Sequence, residues 1–187
     1  KQTVNIGSAF LQNEWKNEKW SILLGGRLDK HNLINHVIFS PRANLRFNPS
    51  EDINLRLSYS SGFRAPQAFD EDLHIENVGG TVSMIERAKN LKEEKSQSFS
   101  ASADMYHRFG AFQVNFLVEG FYTRLSDVFV LENIGERDGI LIKERRNGSG
   151  AKVLGLSMEG KMAYLSLFQL QAGVTLQQSR YDEPEKW

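Results

Sequence analysis

The sequence contains no cysteine among its 187 residues. This absence excludes disulfide bonds, cysteine-ligated zinc, iron–sulfur clusters and thiol catalysis. It suits a reducing cytosol and equally an envelope protein without disulfides, so it does not identify the compartment. An excess of charge of either sign is also missing, because 23 Lys and Arg balance 23 Asp and Glu. The chain therefore has no overall field to attract a polyanion, and we expect no nucleic-acid partner.

Long hydrophobic runs are missing as well. The longest are a few residues, far short of the roughly 20 that a membrane-spanning helix requires. The first ten residues, KQTVNIGSAF, show no basic segment followed by an apolar one, so no secretory signal is expected there. A hydropathy profile would predict a soluble protein. That inference is unsafe, because strands of a membrane barrel are apolar on one face only and their mean hydropathy stays low.

What the sequence does contain is an alternation of apolar and polar residues. In residues 53–60 the odd positions are apolar and the even positions polar, and similar patterns occupy residues 43–47, 112–122 and 168–176. Successive side chains of an extended chain point to opposite faces, whereas a helix would scatter this pattern around its axis. The alternation therefore predicts strands with one apolar and one polar face. Four polar-face residues are predicted to line a water-filled lumen: Arg46, Arg56, Asn115 and Glu119.

The breaks between these patterns alternate between short and long. We predict eight strands, at about residues 3–15, 18–29, 37–48, 52–64, 95–108, 111–126, 151–162 and 166–181. Tight turns are predicted near residues 17–19, 48–51, 108–110 and 162–166, and long loops at about residues 29–37, 64–94 and 127–150. A further short strand pair is expected around residues 139–145. This layout predicts an all-β fold, an antiparallel meander forming part of a transmembrane barrel wall with short periplasmic turns and long extracellular loops. A soluble antiparallel sheet shares the alternation, but it rarely sustains eight strands of this length.

Four stretches resemble the barrel of TonB-dependent outer-membrane receptors. Residues 57–66, LSYSSGFRAP, are similar to the strand end with which the family opens an extracellular loop, and residues 90–96, NLKEEKS, resemble the family's NLKPE(K/R)S. The family usually has proline where this chain has Glu93. Residues 120–128, GFYTRLSDV, and residues 147–160, NGSGAKVLGLSMEG, resemble two further strands of the family. Each motif is weak alone, but the four occur in the family's order and spacing.

The resemblance implies that residues 1–187 are one segment of a receptor barrel domain of 22 strands, without the plug domain or the TonB-contacting segment. The expected partners are the plug domain and remaining strands of the same protein, the TonB complex through the plug, outer-membrane lipid and an extracellular substrate. Substrates implied by the family are ferric siderophores, haem, cobalamin and glycans. The implied location is the outer membrane of a Gram-negative bacterium, with no cofactor and no enzymatic activity.

The loop at residues 64–94 is predicted to contact the ligand, because the family captures substrates with its extracellular loops. The candidates are Arg64, Asp70, Glu71, Asp72 and His74. A hydrated loop folded over the lumen is an equally good interpretation of the same residues. Although His31, His36 and His74 fall in predicted loops, their spacing matches no metal motif, and we expect no metal site.

Two other functions remain open at this point. A complete eight-stranded barrel acting as an adhesin or anchor is possible, because eight strands suffice to close a barrel. It predicts a final strand with a terminal aromatic residue, whereas residues 182–187 have the composition of a polar loop. A barrel enzyme would need a nucleophile and a base, and the sequence offers neither a G-x-S-x-G motif nor a convincing pair.

Overall fold

The computed structural model describes residues 3–66, 83–137 and 139–183. Eleven strands account for most of these residues: β1 Ile6–Lys16, β2 Trp20–His31, β3 Val37–Ser50, β4 Ile53–Arg64, β5 Ser83–Arg87, β6 Glu94–Phe109, β7 Phe112–Ser126, β8 Phe129–Arg137, β9 Ile140–Asn147, β10 Ala151–Tyr164 and β11 Phe168–Tyr181. Within these ranges we find no helix long and apolar enough to cross a membrane.

The main sheet has eight strands in the order β1-β2-β3-β4-β6-β7-β10-β11, and every neighbouring pair is antiparallel. This arrangement confirms the predicted all-β antiparallel meander and its eight long strands. β1 and β11 are the two edges, so the sheet is not closed on itself. The closed eight-stranded barrel considered as an alternative is therefore not the observed arrangement.

Several predicted turns and loops were misplaced by a few residues. β3 continues through Ser50, β6 through Phe109 and β10 through Tyr164, so each following turn comes later than predicted. β2 likewise continues to His31, which reduces the first predicted loop to residues 32–36. At the end of β3 the turn-forming residues Asn48, Pro49 and Ser50 favoured an earlier stop, although the structure pairs Ser50 with Ile53.

A second sheet of three strands, in the order β5-β9-β8, lies within the long connections. β8 and β9 are an antiparallel pair, longer than the short pair expected around residues 139–145. The prediction that residues 64–94 are loop throughout was wrong, because they contain β5, which pairs in parallel with β9. A parallel pair joins segments far apart in sequence, and no local pattern announces it.

The strand register gives the main sheet two different faces. What we call the apolar face includes Leu45, Leu57, Ala101 and Leu156, which the pairing aligns on one side of their strands. The polar face carries the intervening residues. The four short connections lie at one end of the strands, which we call the turn side, and the long connections lie at the other, the loop side.

The chain buries almost no hydrophobic core. Among the described residues the buried hydrophobic ones are Ile34, Ile38, Ala65, Val128 and Ile142. Large hydrophobic residues of the apolar face are instead exposed; Leu57 keeps 54% of its surface accessible and Phe99 50%. A soluble domain of this size would bury a continuous core against a second layer. Within the described ranges no second layer covers the sheet. Its apolar face therefore requires either a non-aqueous environment or a partner surface that covers it.

Candidate functional site

The predicted lumen residues lie together on the polar face. The register pairs Arg46 of β3 with Arg56 of β4, which is aligned through β6 with Glu119 of β7. The three charged residues therefore lie in one row across the sheet. Asn115 lies further toward the turn side, where its amide donates hydrogen bonds to the Asp104 carboxylate and the Met105 carbonyl oxygen. The row places two cations and a carboxylate on the same side of the wall. That this face lines a lumen stays a prediction.

A pair of exposed arginines lies at the loop side, where two strands meet the long connection. β4 ends at Arg64, whose guanidinium carbon is 5.7 Å from the centre of the Phe129 ring. Arg87 ends β5 and donates a hydrogen bond of 3.3 Å to the carbonyl oxygen of Pro66. The two guanidiniums are therefore anchored at the two ends of residues 65–86, where an anionic ligand would find positive charge.

Arg145 supports this site from within the second sheet. It is the register partner of Arg87, and its carbonyl oxygen accepts a 2.9 Å hydrogen bond from the Ala88 amide. Only 6% of its surface is accessible, in contrast to the exposed Arg64 and Arg87. Arg145 is therefore placed to hold β5 and β9 together, whereas Arg64 and Arg87 lie at the surface.

Glu93 joins two connections of the loop side and the start of β6 through its buried carboxylate. Its Oε1 atom lies 3.0 Å from His36 Nε2 and 3.1 Å from Lys95 Nζ. Burial raises the pKa of Glu93, but a backbone hydrogen bond and the nearby Lys95 and His36 together lower it further, so the net pKa lies below the usual value. The carboxylate is therefore charged at neutral pH and holds residues 32–36 against the start of β6.

Asn147, the last residue of β9, connects that strand to two other segments at the base of the second sheet. Its Oδ1 accepts a hydrogen bond from the Lys92 amide at 2.8 Å. Its Nδ2 donates to the carbonyl oxygens of Lys92 at 3.1 Å and Asp127 at 2.8 Å. The Asn147 side chain thus holds the end of β9 against the connection before β6 and the connection after β7. These hydrogen bonds tie the three-stranded sheet to the main sheet.

Of the predicted ligand-contacting residues, the structure describes Arg64 alone. Arg64 lies at the loop side as expected, whereas Asp70, Glu71, Asp72 and His74 lie outside the described residues. Predicting His31 as a loop residue was wrong, because it closes β2 and is fully buried, with its Nδ1 accepting a 3.0 Å hydrogen bond from the Leu33 amide. The described ranges contain no group of three or more potential metal-ligating side chains.

Sequence reasoning missed Arg87, Glu93 and Asn147 as site residues. Arg87 lay in a predicted loop, and its position follows from the parallel pairing of β5 with β9. Glu93 was noted only as a departure from the family's proline, and Asn147 only as the first residue of a stretch that resembles the family. An asparagine before a glycine favours a turn, and this signal does not predict the three hydrogen bonds of its side chain.

The comparison with protein families identifies the family to which this sheet belongs. Residues 1–186 match the family described as "TonB dependent receptor-like, beta-barrel". The chain belongs to this family. Its members are receptors and transporters rather than enzymes, so the barrel-enzyme alternative is excluded.

Solved structures of TonB-dependent receptors share the fold at low sequence identity. The siderophore receptor PirA from Pseudomonas aeruginosa superposes with a TM-score of 0.77 at 17% identity, over 96% of this chain and 35% of PirA. The FrpB iron transporter (F3-3 variant) from Neisseria meningitidis gives 0.69 at 17% identity, over 95% of this chain and 26% of FrpB. The outer membrane transporter YddB from Escherichia coli gives 0.71 at 13% identity, over 94% of this chain and 25% of YddB. This chain thus spans about a third or less of each, and no curated protein matches it.

Proposed function

We propose that residues 1–187 form one segment of the barrel wall of an outer-membrane receptor that takes up an anionic metal chelate with energy supplied through TonB. The observation that carries this proposal is the two-faced sheet without a covering layer. Bilayer hydrocarbon would cover the apolar face, and a plug domain and water would meet the polar face. TonB would act through that plug, which would belong to another part of the same protein.

The dimensions of the apolar face support a membrane setting. On β7 it extends from Phe112 at the turn side to Tyr122, and Arg124 follows on the same face. At about 3.3 Å per residue these ten steps cover about 33 Å along the strand. A strand tilt of about 40° reduces this length to a height of about 25 Å, which is the height of the apolar band of outer-membrane barrels.

The two edge strands support a larger barrel. β1 and β11 each pair with one neighbour only, and backbone groups without partners cannot face lipid. Further strands of the same protein would satisfy them. The chain covers about a third or less of these structural relatives, which is consistent with further strands elsewhere in the same protein.

The exposed arginine pair at the loop side favours an anionic substrate. Arg64 and Arg87 present guanidiniums where the wall meets its long connection, and guanidinium is well suited to carboxylates and catecholates. The relatives include a siderophore receptor and a ferric enterobactin receptor. Among the substrate classes implied by the family, a ferric siderophore therefore fits this pair better than an uncharged glycan.

Replacing Arg64 with alanine in the full-length receptor should weaken binding of ferric enterobactin, a trianionic chelate, about tenfold. A charge-assisted hydrogen bond contributes about 1.5–3 kcal/mol, and Arg64→Lys should retain part of it. Binding is measured by fluorescence quenching on the purified receptor, and uptake with radioactive iron in cells. Uptake should cease in a strain without TonB.

Arg108→Ala is the matched control, because Arg108 is an exposed arginine of the polar face on the turn side. It should leave chelate affinity unchanged. Equal losses for Arg64→Ala and Arg108→Ala would reject the loop-side assignment. A receptor that binds only uncharged ferrichrome would reject the anionic substrate class, and uptake independent of TonB would reject the energised mechanism.

A further inference from the structure

A carboxylate lies beside Arg64, and the proposed function does not account for it. Glu94, the first residue of β6, is the register partner of Arg64, so the two side chains leave the sheet on the same face. The Oε2 atom of Glu94 accepts a 3.0 Å hydrogen bond from the backbone amide of Phe129. A negative charge next to a cation that binds an anion opposes that binding, so the presence of Glu94 here requires an explanation.

Phe129 provides a platform for the same arginine. The Arg64 guanidinium lies over the Phe129 ring, with 5.7 Å between the guanidinium carbon and the ring centre. At this distance a cation is attracted to the face of an aromatic ring. A long exposed side chain samples many rotamers in water, and ordering it on binding reduces the affinity for a ligand. A ring held at a fixed place beneath the guanidinium therefore prepares Arg64 for binding.

The ring reaches Arg64 by crossing over β6. Phe129 begins β8, which follows β7 in the chain, whereas Arg64 ends β4. β6 lies between β4 and β7 in the sheet, and with strands about 4.8 Å apart those two strands are about 10 Å from one another. Glu94 starts the strand that is crossed, so its carboxylate is placed to hold Phe129 over it.

The corner between β7 and β8 is held from two sides. Asp127, in that corner, has a φ of 55°, in the left-handed region that most residues avoid. Its carbonyl oxygen accepts a 2.8 Å hydrogen bond from Asn147 Nδ2, which belongs to the second sheet. The bond from the Phe129 amide to Glu94 holds the corner from the main sheet. Glu94 therefore connects the position of the ring to the wall that carries Arg64.

We propose that Glu94 is a positioning residue for ligand binding, which holds the Phe129 ring beneath Arg64 and thereby raises the affinity of this arginine for an anionic chelate. The inference rests on the proposed function, because Arg64 must contact the ligand. It accounts for a carboxylate beside the cation, since a backbone amide forms a stronger hydrogen bond with a charged acceptor than with a neutral one. Glu94 itself does not contact the ligand.

The test compares Glu94→Ala with Glu94→Gln in the full-length receptor. Both variants remove the same negative charge, but only glutamine keeps a side-chain oxygen that can accept the Phe129 amide. Affinity for ferric enterobactin is measured by fluorescence quenching. Glu94→Ala should bind about fivefold more weakly than Glu94→Gln, which is the effect of one lost hydrogen bond. Glu94→Gln should bind as tightly as the wild-type receptor or up to about threefold more tightly, because the charge beside Arg64 is gone.

The same comparison in an Arg64→Ala receptor separates positioning from a general effect on the fold. Without the guanidinium, Glu94→Ala and Glu94→Gln should bind the chelate equally, because the ring has no cation to position. Glu136, an exposed carboxylate of β8, is the matched control, and Glu136→Ala should bind like the wild-type receptor. Heat-dependent gel mobility shows that each variant is folded.

Two results would overturn the positioning role. One is equal affinity of Glu94→Ala and Glu94→Gln in the receptor that retains Arg64. The other is a difference between these variants that persists in the Arg64→Ala receptor. An Arg64→Ala receptor that binds the chelate as tightly as the wild type would instead reject the ligand contact of the proposed function, and the positioning role with it. Failure of the positioning role and failure of the proposed function are therefore distinguishable.

Discussion

Arginine in place of Met158 should destabilise the receptor by about 2–4 kcal/mol, because it places a charge at mid-height of the face that we propose to contact hydrocarbon. Met158 lies on the apolar face of β10, with Val118 and Val174 as its register partners on the adjacent strands. A guanidinium at this height is too far from either interface for its side chain to reach water easily.

Arginine in place of Ser157, the preceding residue, is the matched control. Ser157 faces the opposite side, where its hydroxyl is 2.8 Å from that of Thr175, and that side is proposed to be wet. Urea unfolding of the full-length receptor in detergent or lipid measures both changes. A greater loss for Ser157→Arg than for Met158→Arg would show that the two faces have been assigned the wrong way round.

Valine in place of Gly155 should destabilise the wall by about 3 kcal/mol, at the upper end of overpacking effects. A Cβ atom at Gly155 would overlap Cζ of Phe121 and lie 2.9 Å from the carbonyl oxygen of Leu176. The ring of Phe121 covers this glycine on the polar face, an arrangement in which an aromatic ring shields a glycine of the neighbouring strand. The ring can move, but the backbone oxygen is fixed by the sheet.

Gly160→Val on the same strand is the control, because a Cβ atom there meets nothing within 4 Å. It should leave the yield of heat-modifiable receptor unchanged, while Gly155→Val lowers it severalfold. Combining Gly155→Val with Phe121→Ala should recover part of the loss, since it removes the ring contact and keeps the contact with Leu176. Equal yields for Gly155→Val and Gly160→Val would show that the close approach has no energetic consequence.

The main sheet could be predicted because its signal is local. Alternation in residues such as Ile53 to Ser60 specifies both the extended conformation and the face on which each side chain lies. The strand ends were less predictable. Leu165 adopts a positive φ of 47° in the turn after β10, a conformation that its type disfavours, so the turn residues there carry no recognisable signal.

The second sheet could not be predicted in full because its pairing is not local. β9, with the sequence ILIKERRN, shows no clean alternation, and β8 contains an irregularity between Asn133 and Gly135. β5 has only five residues and pairs with a strand more than fifty residues away. Arg87 acquires its position from that pairing, which explains why Arg64 could be predicted from the sequence and Arg87 could not.

Labelling of single cysteines in intact cells tests the central claim most directly. The segment contains no cysteine of its own, so a cysteine can be introduced at Lys89 on the loop side or at Glu18, an exposed residue of the turn between β1 and β2, in a receptor freed of any other cysteine. If this chain is part of an outer-membrane receptor wall, a maleimide attached to a polymer too large to pass through porins will label Lys89→Cys in intact cells and Glu18→Cys only after lysis. Labelling of Glu18→Cys in intact cells, or of neither position before lysis, would contradict the account.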